Sequence, residues 1–198
     1  IEKMKVFWRY FSIVFHPLAV TFYNAAAMSY ILNKGIHPFS LCIAFIIVIL
    51  MPILTLVMLK LTKVISDFDI SVKHERKNPV IFYVISAVLL IDYFLIGYFL
   101  KDNLYFVLFF LLVIIYLISF SFTGRIKLSA HIAVFTANIM FAGVFFGYKF
   151  FFFLILVPLM FISRLKLKKH VLSECFAGLA LGIFSFAPLL LLKQVLIK

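Results

Sequence analysis

Charged residues are scarce in this chain. Only 13% of its 198 residues are Asp, Glu, Lys or Arg, about half the share of an ordinary soluble domain. It has two cysteines, Cys42 and Cys175, too few for a disulfide scaffold. Hydrophobic residues make up 66% of the chain, and 27 of them are Phe. This composition excludes a water-soluble globular enzyme and a disordered chain, and it is typical of an integral membrane protein.

Long apolar runs alternate with short polar segments along the chain. There are seven runs, at about 11–32, 40–61, 80–100, 104–122, 132–148, 150–162 and 171–192. None shows the alternating polar pattern of a β-barrel strand, and a helix satisfies its own backbone in lipid. We therefore predict an all-α, polytopic membrane bundle of six or seven spans, forming a single domain over residues 1–198. The fifth and sixth runs meet at Tyr148 and Lys149, which predicts a tight helical hairpin.

Basic residues outnumber acidic ones by 19 to 7, and most fall on one side of this topology. Fourteen of the 19 lie in or next to residues 1–10, 62–79, 123–130 and 163–170. The positive-inside rule places that face in the cytoplasm. Because the bases form short clusters between apolar runs, we expect lipid head groups rather than nucleic acid as their partners. The chain is expected to cross its membrane several times.

Three polar segments of the basic face bring Arg, His and Ser to one surface: 62–79, 123–131 and 163–174. Arg offers a planar fork that matches phosphate oxygens, and Lys offers a point charge. The alternative is that these residues contact lipid head groups only.

His170 and Glu174 are four residues apart, so on a helix they share a face. A carboxylate there would fix the imidazole tautomer and stabilise the imidazolium form, unless the pair is only a helix cap or a surface ion pair.

The spacing of two of these segments matches known signatures. Ser163-Arg164, His170 and Glu174 resemble the third signature of the type-2 phosphatidic acid phosphatase family, Ser-Arg, five residues, His, three residues, Asp, with Glu in place of Asp. The segment 128–131, Leu-Ser-Ala-His, resembles the second signature, Pro-Ser-Gly-His, and two apolar runs separate it from Ser163 as in the family. The first signature, Lys, six residues, Arg-Pro, is absent. The resemblance covers about residues 60–195 and suggests a small, divergent bacterial branch.

The resemblance implies a lipid phosphate phosphatase that works without a metal or other cofactor. His170 would attack phosphorus and form a phosphohistidine, Glu174 would orient it, and His131 would act as general acid and base. The implied phosphate-binding residues are Arg164, Ser129, Ser163, Arg76 and Lys73. Arg76 and Lys73 belong to the segment 73–79, which has the residue types of the absent first signature but not its spacing. Implied substrates are phosphatidic acid, phosphatidylglycerol phosphate, undecaprenyl diphosphate or lipid A phosphates. The resemblance implies a bacterial cytoplasmic membrane as the location. Family members work at the outer face of that membrane, which conflicts with the positive-inside count and leaves the orientation open.

Three further residues are candidate accessory groups. Asp92 lies in the middle of an apolar run, where an ionisable side chain is costly; a structural hydrogen bond is the alternative reading. His16 precedes Pro17 and either lines the site or satisfies a carbonyl that the proline frees. Asp69 either places Arg76 or pairs with nearby bases.

Two other functions stay open. One is an inactive relative of the family that binds or transports lipid. The other is a prenyltransferase, which would use Asp67 and Asp69 but needs a second aspartate-rich loop to hold magnesium.

Overall fold

The protein is all-α, as predicted. The computed structural model describes residues 2–32, 34–35, 37–68, 70, 72, 75, 78–100, 103–121 and 128–196. These residues contain no β-strand. The α-helices are α1 (Glu2–Val14), α2 (Pro17–Leu32), α3 (Pro38–Phe45), α4 (Met51–Leu61), α5 (Pro79–Leu100), α6 (Asn103–Ser121), α7 (Ala130–Phe145), α8 (Val157–Lys166), α9 (Leu172–Phe184) and α10 (Phe186–Leu196). A π-helical turn (Ile46–Leu50) joins α3 to α4, and a 3₁₀ helix (Tyr148–Leu156) precedes α8.

Prolines mark where several of these helices begin. Pro17, Pro38 and Pro79 each open a helix, a position where the missing N–H costs nothing. Pro52 and Pro158 instead lie in the first turn after the π-helical turn and the 3₁₀ helix. Each lacks the N–H that would bond the turn before it, so the preceding backbone widens or tightens rather than continuing as an α-helix.

Several helical segments are long and apolar enough to cross a membrane. They are Pro38–Leu61, Pro79–Leu100, Tyr148–Lys166 and Leu172–Gln194, and the pair Val6–Val14 and Pro17–Ile31 adds a fifth if the two helices, bent by 40°, form one span. Ala130–Phe145 is apolar but shorter. Large apolar side chains such as Phe94, Phe152 and Phe184 are exposed on these helices, as expected for surfaces that face lipid. The helical membrane bundle is therefore confirmed, while the total of six or seven spans stays a prediction.

The chain forms two compact units. The terminal unit combines residues 1–20 with 128–198, and the central unit comprises residues 21–127. The single domain expected over residues 1–198 stays a prediction.

Helix α7 is the core of the terminal unit. It is buried along almost its whole length and packs against α9, α10 and the 3₁₀ helix. A helix that is apolar on every side is suited to such a central position. Its neighbours in the core come from both ends of the chain, and the buried members of the cluster are Val20, Ile132, Phe135, Ile139, Val157, Met160, Phe161 and Cys175.

The hairpin expected at Tyr148 and Lys149 turns slightly earlier. Helix α7 ends at Phe145, and the chain reverses at Phe146 and Gly147. Gly147 has φ 126°, a backbone conformation that side chains with a Cβ rarely adopt. Tyr148 and Lys149 consequently belong to the 3₁₀ helix that follows the turn.

The central unit is built from helices that neighbour one another along the chain. The segment α3–π turn–α4 packs against α5, and α5 packs against α6. Leu59 on α4 and Ile81 on α5 are buried in one cluster with Ile65.

Candidate functional site

His170 and Glu174 form a direct contact at the start of α9. His170 Nδ1 lies 2.8 Å from Glu174 Oε2, and the Val171 N–H donates to the same oxygen at 3.3 Å. Because a carboxylate only accepts hydrogen bonds, Nδ1 is the donor, and the imidazole lone pair is then on Nε2. The Glu174 carboxylate therefore both orients the imidazole ring and caps the first turn of α9. The two alternatives predicted for this pair, an oriented imidazole and a helix cap, are thus compatible.

The end of α8 fixes Arg164 relative to His170. The Lys169 N–H donates to the Arg164 carbonyl (3.1 Å), and the Lys168 N–H donates to the Leu165 carbonyl (3.0 Å). This is the hydrogen-bond pattern of a Schellman motif, and Lys168 occupies its left-handed position with φ 53°. The motif ends α8 after Lys166 and leads directly into His170. Arg164 and His170 are thus joined by a turn of defined geometry.

The Arg164 side chain is almost fully buried. It is 1% exposed, and its Nη1 donates to Ser12 Oγ on α1 at 2.8 Å. Next to it, Ser163 Oγ donates to the Trp8 carbonyl at 3.1 Å. Helix α1 therefore holds the Ser163-Arg164 pair inside the terminal unit.

A backbone hydrogen bond ties the second motif to the third. The Ser129 N–H donates to the Glu174 carbonyl at 3.0 Å, just before α7 begins. Ser129 is fully buried, and its Oγ has no hydrogen-bond partner among the described residues. Helix α9 approaches Ser129 closely because Gly178 lies opposite it: a Cβ at Gly178 would lie 2.5 Å from the Ser129 carbonyl oxygen. His131, two residues after Ser129, is buried in α7.

A third histidine meets His131. His16 lies between α1 and α2, and its ring packs edge to face against the His131 ring with 4.8 Å between centroids. His16 Nδ1 accepts a hydrogen bond from the Leu18 N–H (3.3 Å), so a neutral His16 has its proton on Nε2. His16, expected as an accessory group, therefore contacts His131 and also caps the first turn of α2.

The structure thus groups most of the expected site residues within the terminal unit. We call these residues the cluster; they are His16, Ser129, His131, Ser163, Arg164, His170 and Glu174. Lys73, Arg76 and Asp69 lie outside the described residues, so their expected roles stay predictions. Asp92 is a buried residue of α5 and belongs to the central unit.

Sequence reasoning missed three contributors to this cluster: Ser12, the Trp8 carbonyl and Gly178. Ser12 and His16 are four residues apart in an apolar stretch, which was a usable signal for one polar helix face. Gly178 and Gly182 have the spacing that allows membrane helices to approach closely. A backbone carbonyl such as that of Trp8 leaves no signal in the sequence.

The cluster offers imidazole, guanidinium, hydroxyl and carboxylate groups but no group of metal ligands. Among the described residues, no set of three or more His, Cys, Asp or Glu side chains could hold a metal ion.

Comparison with protein-family models, with curated proteins and with solved structures finds no match to this chain.

Proposed function

We propose that the protein is an integral membrane phosphatase that hydrolyses lipid phosphates or diphosphates through a phosphohistidine. The observation that carries this proposal is the His170–Glu174 contact of 2.8 Å, tied by the Ser129–Glu174 backbone bond to the segment that holds His131. Two imidazoles, one oriented by a carboxylate, supply the nucleophile and the proton carrier that such a reaction needs. The resemblance of both segments to the family signatures points the same way.

In the first half-reaction His170 Nε2 attacks phosphorus, and the bond from phosphorus to the leaving oxygen breaks. His131 protonates that oxygen, which belongs to the lipid alcohol or, in a diphosphate, to the lipid monophosphate. In the second half-reaction His131 takes a proton from water as the water attacks the phosphohistidine. The phosphorus–nitrogen bond then breaks, inorganic phosphate leaves, and both histidines return to their starting states.

Phosphate charge is met by three kinds of group. Arg164 offers its guanidinium, and the buried Ser129 hydroxyl offers a donor that no described residue uses. Helix α7 begins directly after Ser129, and its first turn presents the positive end of the helix dipole. Such preorganised donors are the main source of stabilisation for a phosphoryl-transfer transition state.

The membrane setting defines the substrate class. A lipid whose head group ends in phosphate or diphosphate can keep its tail in hydrocarbon while the head group reaches the cluster. Phosphatidic acid, phosphatidylglycerol phosphate, undecaprenyl diphosphate and lipid A phosphates all satisfy this requirement. We propose membrane lipids of this class as the partners of the protein.

The test is phosphate release by purified protein in detergent from a panel of these lipids, with EDTA present. We expect His170→Ala to abolish release and His131→Ala to lower it about 10²–10⁴-fold, the usual contribution of a general acid–base group. His37→Ala is the matched control, because His37 is a helix-capping histidine of the central unit that bonds Ser40. Acid-labile labelling of wild type by a ³²P-labelled substrate, lost in His170→Ala, would identify the intermediate. Full turnover in both variants would refute the proposal.

Lipid binding without turnover is the second candidate, and the burial of Arg164 favours it. A guanidinium that is 1% exposed and bonded to Ser12 has to reorient before it contacts a phosphate. Under this alternative the folded wild-type protein binds the same lipids but releases no phosphate from any of them. The assay above therefore distinguishes the two candidates.

A further inference from the structure

Asp92 is a buried acid in the central unit, and the proposed phosphatase mechanism does not use it. It lies in the middle of α5, is 1% exposed, and its Oδ1 has no hydrogen-bond partner among the described residues. Ionisable groups at such depth in a membrane span are costly and usually functional. An unsatisfied oxygen adds to that cost, because no water is present to bond it.

The register of the helices shows what faces Asp92. Leu59 and Ile81 belong to one buried cluster, where the end of α4 meets the start of α5. Asp92 is 11 residues after Ile81, about three helical turns, so the two residues share one face of α5. Eleven residues before Leu59 is Val48, which is buried in the π-helical turn. The π-helical turn also packs against α5. Helical periodicity therefore predicts that Asp92 lies near the level of this turn, on the face of α5 that it shares with Ile81.

Pro52 is expected to leave a backbone acceptor of the π-helical turn without a helical donor. The Met51 N–H donates to the Ile46 carbonyl, five residues back. The next residue, Pro52, has no N–H, so the helix cannot bond the carbonyl of Ile47 or Val48 in the usual way. A free carbonyl in the hydrocarbon region needs another donor. An acceptor without a donor and a carboxyl group without a partner thus lie at the same depth.

We propose that Asp92 is a membrane-embedded proton-binding site: the carboxyl group holds a proton and donates it as a hydrogen bond to the Ile47 or Val48 carbonyl. One proton satisfies both groups at once and leaves no net charge in the span. Hard metal cations such as Ca²⁺ and Mg²⁺ take six or more oxygen ligands, more than one carboxyl group and one or two carbonyls supply. The Thr55 hydroxyl donates to the Met51 carbonyl and would add at most one further oxygen, which still leaves fewer than six.

Few other titratable groups face this position. On the elements packed against α5, the residues with described side chains include Cys42, Lys60 and Tyr105. Lys60 is 12 residues from Val48, about 18 Å along the helix axis. The Tyr105 hydroxyl donates to the Ala25 carbonyl (3.2 Å), and Cys42 is a free thiol on an exposed position of α3. Among the described residues of α5 and of the elements packed against it, Asp92 is the only Asp or Glu.

Infrared difference spectroscopy of the purified protein at neutral pH tests the proposal. Subtracting the spectrum of Asp92→Asn from that of wild type should leave the C=O stretching band of a protonated carboxylic acid. Asn is the suitable replacement, because its amide can donate to the same carbonyl and keep the fold. Pro52→Ala restores a backbone N–H that competes for the carbonyl, so the Asp92 band should move to higher frequency. Pro158→Ala, which changes the corresponding proline of α8, is the matched control and should leave the band unchanged.

Three results would overturn the proposal. One is a difference spectrum that shows carboxylate bands instead of the acid band. The second is an acid band that does not move in Pro52→Ala, since the acceptor would then lie elsewhere. The third is loss of the acid band when Na⁺ replaces K⁺ in the buffer, which would indicate a metal cation. The Pro52→Ala measurement keeps the proposal testable if Asp92→Asn fails to fold.

Discussion

The close contact between α7 and α9 gives the sharpest prediction, the effect of Gly178→Ala. A Cβ at position 178 would lie 2.5 Å from the Ser129 carbonyl oxygen and 3.4 Å from the Ala133 nitrogen. Ordinary van der Waals contact begins at 3.4 Å. Both neighbours belong to the backbone, so no side-chain rotation relieves the overlap. Helix α9 therefore has to move away from Ser129 by about 0.9 Å, the difference between 3.4 Å and 2.5 Å.

That displacement acts directly on the candidate site. The hydrogen bond from the Ser129 N–H to the Glu174 carbonyl is 3.0 Å long, and an added 0.9 Å would break it. Overpacking typically costs about 1–3 kcal/mol, and replacing Gly by Ala within a helix returns about 1 kcal/mol. We expect a net loss of up to about 2 kcal/mol in the free energy of unfolding from these two terms. Turnover should fall about 10²-fold, the usual effect of a 1 Å misplacement of reacting groups.

Two measurements on Gly178→Ala test this reasoning. Unfolding in detergent reports the helix displacement whether or not the protein is an enzyme, and phosphate release reports its effect on the site. Gly35→Ala is the control, because nothing lies within 4 Å of a Cβ built there. Wild-type stability together with wild-type turnover in Gly178→Ala would refute the close approach of the two helices as the basis of the site.

Two further predictions concern the ends of helices in the terminal unit. His16→Asn keeps an acceptor for the Leu18 N–H, whereas His16→Ala does not, so the Ala variant should be less stable than the Asn variant by about 1 kcal/mol. Both variants remove the ring contact to His131, so both should lose turnover. Equal stability, or full turnover in both, would contradict the two roles given to His16. Lys168→Gly should raise the free energy of unfolding by roughly 0.5–1 kcal/mol, because Gly adopts the left-handed conformation without the steric cost of a Cβ. Lys166→Gly, which removes the same charge within α8, should instead lower it by about 1 kcal/mol, and a loss of stability in both variants would refute the assignment of strain to Lys168.

Much of the fold could be predicted because lipid imposes one rule on the backbone. A chain with long apolar runs has to form helices, and the run at 80–100 coincides with α5 to within one residue. The run at 11–32 was less informative. Composition does not reveal that it divides at Phe15 and His16, since both helices are apolar and the break depends on Pro17 and on the capping contact of His16. The π-helical turn was likewise invisible, because it is a local response to Pro52 within a run of uniform composition.

The local part of the candidate site was predictable for a different reason. His170 and Glu174 are four residues apart, and this spacing predicted a contact on one helical face. The contact exists, but His170 lies just before α9, and Glu174 reaches it from the first turn of that helix. The hydrogen bond between Arg164 and Ser12 joins residues 152 apart in sequence. No periodicity, spacing or propensity connects two such residues, and the contact exists only because α1 and α8 pack together.

This distinction bears on what the motif resemblance can explain. The segments that resemble the signatures contain the proposed reactive groups, between residues 128 and 174, but the resemblance does not account for the burial of a guanidinium. A buried charge is tolerated only when it is paired or hydrogen-bonded. The Ser12 hydroxyl, which accepts the hydrogen bond from Arg164 Nη1, belongs to α1 and lies outside the region of resemblance at about 60–195. Ser12 sets where Nη1 of Arg164 points, and His16, one turn further along the chain, contacts His131. Because these two contacts act on one residue from each motif, α1 and the break after it govern the relative placement of the two motifs as directly as the motif residues do.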